Sequence, residues 1–173
     1  MRLDWRSKEI AATALFSAAG LTGTAMAPPD SPTLAPAVLF YATLVVNTYY
    51  SIRFFSRLPP TDRNETIIDA ILAVLYVALG LAVANPRLFT FLALVLFVCA
   101  IVKYARLRSL IDYPLTLRRK MLIDFLGAVL CAGAFVGSLA GYPVESIAAF
   151  AIVFAIANVY LLLIAPAYRV FDR

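Results

Sequence analysis

Six long apolar runs, separated by short polar segments, limit what this chain can fold into. They cover residues 10–27, 34–55, 66–84, 88–105, 121–141 and 144–165. As an α-helix with a rise of ~1.5 Å per residue, a run of this length spans a hydrocarbon core of ~30 Å. Helices also satisfy every backbone group within one segment, as lipid requires. The pattern predicts an all-α, integral membrane protein with six transmembrane helices in one domain, residues 1–173.

The composition agrees with this prediction. Hydrophobic residues make up 63% of the chain and charged residues 14%, whereas a soluble domain is about half apolar and a quarter charged. The first run follows a basic start and ends at Ala25-Met26-Ala27, a pattern that a cleaved signal peptide also shows. Because the run is longer than a usual signal-peptide core, we expect it to be retained as the first span.

An internal repeat gives the plan of the chain. Residues 49–75 align without a gap with residues 104–130, and ten of the 27 pairs are identical, including Tyr, Arg, Pro, Thr and Asp pairs. A weaker third copy matches Asn47-Thr48-Tyr49 with Asn158-Val159-Tyr160. The repeat predicts three helical hairpins, at about residues 6–57, 63–108 and 118–173, arranged as a pseudo-three-fold bundle.

The positive charges lie almost entirely on one side of the predicted bundle. Of 15 Lys and Arg residues, 14 lie at the start, in the second and fourth connections with their flanks, or in the tail, and only Arg87 lies on the other side. The positive-inside rule therefore predicts that both termini are cytoplasmic. Together with the short loops, this favours the inner membrane of a bacterium.

Residue size predicts which helices lie inside. The first and fifth runs are rich in Gly and Ala, whereas the second and fourth are rich in Phe, Tyr and Leu. In a bilayer, small residues mark surfaces where helices approach closely. We therefore expect helices 1, 3 and 5 at the centre and helices 2, 4 and 6 against lipid.

Asp69 and Asp124 are the leading candidates for function, because they are carboxylates at equivalent repeat positions near the start of a span. Ionisable groups within spans are functional hypotheses by default. Arg53 and Arg108 end the preceding helices on the same side. Two interpretations remain open: an Arg–Asp clamp that holds each corner of the bundle, or a site for an ion, a proton or a substrate.

Other polar residues have simpler expected roles. Asn47 and Asn158 lie deeper in their spans, where hydrogen bonding between helices or contact with a solute would explain an amide. Tyr49, Tyr104 and Tyr160 fit an aromatic belt at the membrane interface, and contact with a ligand is the alternative.

A basic cluster lies around the fourth connection. Anionic lipid headgroups at the cytoplasmic face attract such a cluster, and a phosphorylated substrate or an acidic partner protein is the alternative. The loops are too short to form a nucleic-acid-binding module. The cluster consists of Arg106, Arg108, Arg118, Arg119 and Lys120.

The sequence carries no catalytic signature. It has no histidine, and it contains no GxSxG, HExxH or Walker motif. Cys99 and Cys131 lie within apolar runs and are expected to pack as small hydrophobic residues. Asp62, Glu65 and Asp112 fit solvated loop charges. We expect no catalytic residue, no metal site and no cofactor, and an enzyme is not favoured.

Two functions of different classes fit these observations. The first is a non-catalytic accessory or structural subunit that packs against other membrane protein subunits. The alternative is a transporter or channel for a small solute or ion, with the pseudo-three-fold bundle enclosing its path.

Overall fold

The computed structural model describes residues 5–55, 63–108 and 114–164, and these residues form six α-helices. Five of them, counting the π-helical turn at the end of the sixth, are long and apolar enough to cross a membrane, and the first helix is not among the five. This is the architecture of a helical, multi-pass membrane protein. The helices are α1 (Trp5–Met26), α2 (Leu34–Phe55), α3 (Arg63–Leu81), α4 (Pro86–Arg108), α5 (Pro114–Leu139) and α6 (Pro143–Val159), which the turn Tyr160–Ile164 extends.

Some predicted features fall on parts of the chain outside the described residues. These parts are residues 1–4, 56–62, 109–113 and 165–173. They include Arg57, Asp62 and Asp112, and the last residues of the first and third predicted hairpins.

Proline and glycine set several helix ends. α4, α5 and α6 begin at Pro86, Pro114 and Pro143, where proline loses no helical hydrogen bond. After α5, Gly141 has a φ of 95°, a left-handed conformation that glycine adopts without steric cost. The Tyr142 N–H then donates to the carbonyl oxygen of Gly137 at 3.0 Å, which closes the helix end.

The six helices form a closed ring in the order α1, α2, α6, α5, α4, α3, and α3 packs again on α1. α1, α3 and α5 begin at one end of the ring, where α2, α4 and α6 finish; we call it the basic end. This order differs from the expected three-fold arrangement. The hairpins α3–α4 and α5–α6 follow the ring in one direction, whereas α1–α2 follows it in the other.

Aromatic side chains of α2, α4 and α6 fill the centre of the bundle. Phe40 is fully buried. Its ring centroid lies 4.3 Å from that of Phe150, 4.7 Å from Phe154, 5.6 Å from Phe89 and 6.4 Å from Phe97. We call these five rings the aromatic core.

The prediction that odd-numbered helices lie inside is therefore wrong. In the described part of the chain, α2, α4 and α6 carry most of the buried side chains, whereas α3 buries only Leu79 and Gly80. Among the odd-numbered helices α5 is the exception, with seven buried residues between Leu117 and Ser138. The small residues do mark close helix contacts, as expected, but these contacts occur around the ring. Large interlocking rings fill its centre because they supply more van der Waals contact there.

Tyr41 joins three helices at a point of close packing. From α2, its hydroxyl group lies 2.9 Å from the carbonyl oxygen of Phe16 in α1 and 3.0 Å from that of Tyr76 in α3. Gly20 and Gly80 leave the space that the tyrosine ring occupies: a Cβ on Gly80 would lie 2.6 Å from the Tyr41 hydroxyl and 2.9 Å from the Gly20 nitrogen.

Replacing Gly80 with alanine is expected to destabilise the protein by about 1–3 kcal/mol, because the new methyl group overpacks this contact. The matched control is Gly133→Ala on α5, where an added Cβ would meet nothing within 4 Å. There the better helix propensity of alanine is expected to stabilise by up to about 1 kcal/mol. Thermal unfolding midpoints in mild detergent measure both effects. Equal midpoints for the two variants would contradict the packing described at Tyr41.

Candidate functional site

A cavity of about 370 Å³ opens at the basic end and reaches into the bundle. Along α4 its wall extends from Leu107 to Leu96, roughly 16 Å of helix. Phe16 and Phe97 lie at its inner end, and beyond them the aromatic core is closed by the buried side chains of Phe40 and Phe89. In the described part of the chain, the cavity therefore extends from the basic end to the aromatic core and does not pass through it.

The wall of the cavity divides into an outer polar part and an inner apolar part. This combination of a mostly apolar lining and a few convergent polar groups is typical of ligand sites. The outer part contains the charged groups and Thr66: Lys8, Glu65, Asp69, Lys103, Lys120 and Asp124. The other polar lining residues are uncharged: Asn47, Thr48, Ser51, Tyr76 and Tyr104. The apolar lining includes Phe16, Leu44, Leu72, Leu96 and Phe97.

The cavity separates the two kinds of basic residue. The chain has three lysines, Lys8, Lys103 and Lys120, and all three line the cavity, whereas none of the seven arginines whose side chains the structure describes does. Glu65, Asp69 and Asp124 supply three carboxylates, so these six groups are formally neutral in sum. A lysine ammonium group is a compact charge on a flexible stem, which can exchange one partner for another more readily than a guanidinium fork.

Lys103 and Asp69 form the first ion pair of the cavity. The Nζ atom of Lys103 in α4 lies 2.5 Å from Oδ1 of Asp69 in α3, and the Asp69 side chain is 56% exposed. Such an exposed pair adds little to stability. It links two helices at the mouth of the cavity, where an entering ligand would meet it first.

Lys120 and Asp124 form a second, buried pair on α5. Their Nζ and Oδ1 atoms are 2.8 Å apart, and the Asp124 side chain is 2% exposed. The other carboxylate oxygen of Asp124, Oδ2, is buried and has no hydrogen-bond partner. A buried acceptor without a partner is costly, so Oδ2 of Asp124 is an acceptor that a ligand could satisfy.

Tyr104 connects the two pairs. Its ring centroid lies 5.9 Å from Nζ of Lys103 and 5.5 Å from Nζ of Lys120, within the range of cation–π attraction. Its hydroxyl group shares a hydrogen bond of 2.8 Å with Ser51 of α2. Tyr104 therefore holds both ammonium groups beside one ring.

Amide and hydroxyl groups extend the polar wall inward. Asn47 of α2 donates to Oδ1 of Asn158 of α6 at 2.5 Å, and Asn158 donates to the carbonyl oxygen of Phe154 at 2.8 Å. Thr48 and Tyr76 share a hydrogen bond between α2 and α3. Asn47 and Asn158 therefore form a hydrogen bond between two helices, one of the two roles expected for them. Asn47 lies on the cavity wall and Asn158 lies behind it.

No family model matches this chain, and no curated protein or solved structure is significantly similar to it. In the described part of the chain, no group of three or more His, Cys, Asp or Glu side chains is placed to hold a metal ion.

The structure brings some of the predicted site residues together and separates others. Asp69, Asp124, Asn47 and Lys120 line the cavity. Among the described residues, the partners seen for the two aspartates are lysines, and the expected Arg53–Asp69 and Arg108–Asp124 clamps are not formed. The arginines Arg53, Arg106, Arg108, Arg118 and Arg119 are exposed outside the cavity.

Three residues differ from their expected environments. Glu65 is not a loop charge, because it lies in the first turn of α3 and lines the cavity. Tyr104 is buried and therefore does not belong to an interfacial aromatic belt. Lys120 is largely buried against Asp124, so its ammonium group faces the cavity and not the lipid headgroups.

Lys8 and Lys103 are charged residues of the site that the sequence did not single out. A helical projection offers one signal. On α4, Lys103 follows Ala100 by three residues and precedes Leu107 by four, a spacing that places it on the same face as these buried side chains.

Proposed function

We propose that this protein is a carrier for a small solute, and that its cavity is the solute-binding site. The one-sided cavity is the observation that supports this most directly, since a carrier binds its solute from one side at a time while the other side stays closed. An open channel is less well supported, because the aromatic core fills the bundle beyond the cavity.

The proposed orientation places the mouth of the cavity in the cytoplasm. The positive-inside rule supports this orientation because the basic end carries nearly all Lys and Arg residues. The proposal includes six spans in three hairpins, both termini in the cytoplasm and a bacterial inner membrane. Arg106, Arg118 and Arg119, exposed around the basic end, are proposed to contact anionic lipid headgroups.

Uptake into proteoliposomes tests the carrier proposal. The panel of labelled solutes would contain amino acids, carboxylic acids and amines. The double variant Asp69→Asn/Asp124→Asn is expected to reduce uptake of the transported solute to the level of empty liposomes, because each of its two substitutions removes a carboxylate from the cavity wall.

The control is Glu145→Gln, which removes an exposed carboxylate from the first turn of α6, at the other end of the bundle. Its uptake is expected to equal that of the unaltered protein. Full uptake by the double aspartate variant, in protein that elutes as a single species, would show that the solute does not use this cavity.

A second candidate function is an accessory subunit of a larger membrane complex. The outer face of α1 supports it, because this face is exposed although its residues are small, a composition typical of contacts between helices. Extraction in mild detergent followed by native mass spectrometry tests it. Larger subunits in a fixed ratio would favour this candidate over the carrier. The exposed small residues are Ala11, Ala14, Ser17, Ala18, Thr22 and Ala25.

A further inference from the structure

The charges of the cavity restrict the kind of solute it can accept. Among the described residues, three ammonium groups and three carboxylates line it, so their formal sum is zero. An additional net charge at this depth would be costly, because the bundle is surrounded by lipid. A solute that carries both a positive and a negative group adds no net charge. It can exchange its own groups for those of the existing ion pairs.

Each end of such a solute has a place in the cavity. Asp124 presents a buried oxygen, Oδ2, that has no hydrogen-bond partner, and an ammonium group would satisfy it. Lys103 and Lys120 lie beside the Tyr104 ring, where their ammonium groups can donate to a carboxylate. Because Asp69 is exposed at the mouth, Lys103 can leave it at low cost.

The inner part of the cavity determines the size and character of the rest of the solute. Phe16, Leu44, Leu72, Leu96 and Phe97 give this part an apolar lining. The volume of about 370 Å³ lies within the range of pockets that bind small ligands. It is large enough for an α-amino acid with a large apolar side chain.

We propose that the cavity binds a zwitterionic α-amino acid with a large apolar side chain, its ammonium group on Asp124, its carboxylate between Lys103 and Lys120, and its side chain in the apolar inner part. This inference rests on the proposed function and names its substrate class.

Binding of four matched probes to the unaltered full chain tests the inference. The protein is reconstituted in nanodiscs of zwitterionic lipid, and the probes compete with labelled L-phenylalanine. 2-Phenylethylamine lacks the carboxylate, 3-phenylpropanoate lacks the ammonium group, and L-alanine lacks the apolar body. Each is expected to bind at least tenfold more weakly than L-phenylalanine itself. Equal affinity for the amine or for the acid, or no saturable binding of L-phenylalanine, overturns the inference.

The variant Asp124→Asn separates a binding role from a structural one. It is expected to lower the affinity for L-phenylalanine and for 2-phenylethylamine at least tenfold, yet to leave 3-phenylpropanoate unchanged or tighter, because this probe has no ammonium group. A structural role would weaken all three. Asp124→Asn leaves the ammonium group of Lys120 without its carboxylate. A second variant, Lys120→Met/Asp124→Asn, therefore removes both charges of the pair. Its control is Arg119→Met on the exposed face of α5.

The double variant is expected to bind L-phenylalanine at least tenfold more weakly, while Arg119→Met binds it as the unaltered protein does. Wild-type affinity in the double variant overturns the inference. The proposed function fails separately: saturable binding of L-phenylalanine without uptake into proteoliposomes leaves the ligand class intact and removes the carrier. Uptake of another solute without binding of L-phenylalanine leaves the carrier intact and removes the ligand class.

Discussion

Replacing Phe40 with alanine is expected to lower the free energy of unfolding by about 3–5 kcal/mol, the range for deleting a large buried side chain. Phe40 is fully buried and contacts four other phenylalanine rings from α4 and α6. In a bilayer this loss comes mainly from lost packing, because lipid is as apolar as the ring. The empty space would lie between the three helices that supply these rings.

The buried thiol of Cys131 gives the measurement, since a thiol-reactive fluorophore labels it only when the bundle opens on heating in mild detergent. Cys99 is changed to alanine in all proteins compared, so that the fluorophore can label only Cys131. The matched control is Phe125→Ala on α5, whose ring is 56% exposed, and its unfolding midpoint is expected to change little. Equal losses for both variants would mean that the aromatic core does not hold the helices together.

Replacing Lys120 alone with methionine is expected to destabilise the protein by about 3–5 kcal/mol, because it leaves the Asp124 carboxylate buried without its cation. Asp124 is 2% exposed and its Oδ1 atom pairs with Lys120 at 2.8 Å. The double variant Lys120→Met/Asp124→Asn removes both charges, and it is expected to regain most of that loss, since an apolar replacement of a buried ion pair is often nearly neutral.

Unfolding midpoints of the single variants, the double variant and Arg119→Met form a double-mutant cycle for this pair. Arg119 directly precedes Lys120 on α5, and its side chain is exposed. The free energy of unfolding of its variant is expected to stay within about 0.5 kcal/mol of that of the unaltered protein. If the double variant loses as much as the two single variants added together, Lys120 and Asp124 do not depend on each other for stability.

Local features of the fold could be predicted from the sequence. Apolar runs, prolines at helix starts and polar connections give the helices within a few residues, except that α5 begins at Pro114, seven residues before the predicted start. The reason is that the segment before residue 121 contains Arg118, Arg119 and Lys120, so hydropathy ends the span there, although charged residues continue a helix readily.

The neighbours of each helix could not be predicted in the same way. Asp69 and Asp124 occupy equivalent repeat positions, yet the first side chain is 56% exposed and the second 2% exposed. A repeat in sequence fixes the local conformation and spacing of its helices. It does not fix which face each helix turns to its neighbours, and α5 packs tightly on α4 while α3 carries few buried side chains.

The cavity was only partly predictable for a related reason. Asp69, Asp124 and Asn47 are conspicuous because polar groups are rare in these spans. Lys103 and Lys120 are not conspicuous, because they stand among arginines near the ends of helices. Only the folded structure distinguishes these lysines from the arginines, because the ring of helices brings all three lysines to one cavity.

The bond between Asn47 and Asn158 has a consequence for how the protein is made. The two residues are 111 positions apart in the chain, and synthesis at roughly 5–20 residues per second separates them by about 5–20 seconds. During that interval α6 does not yet exist, so the amide of Asn47 cannot yet donate to Asn158. The contact between α2 and α6 that closes the ring is therefore among the last to form as the protein is made.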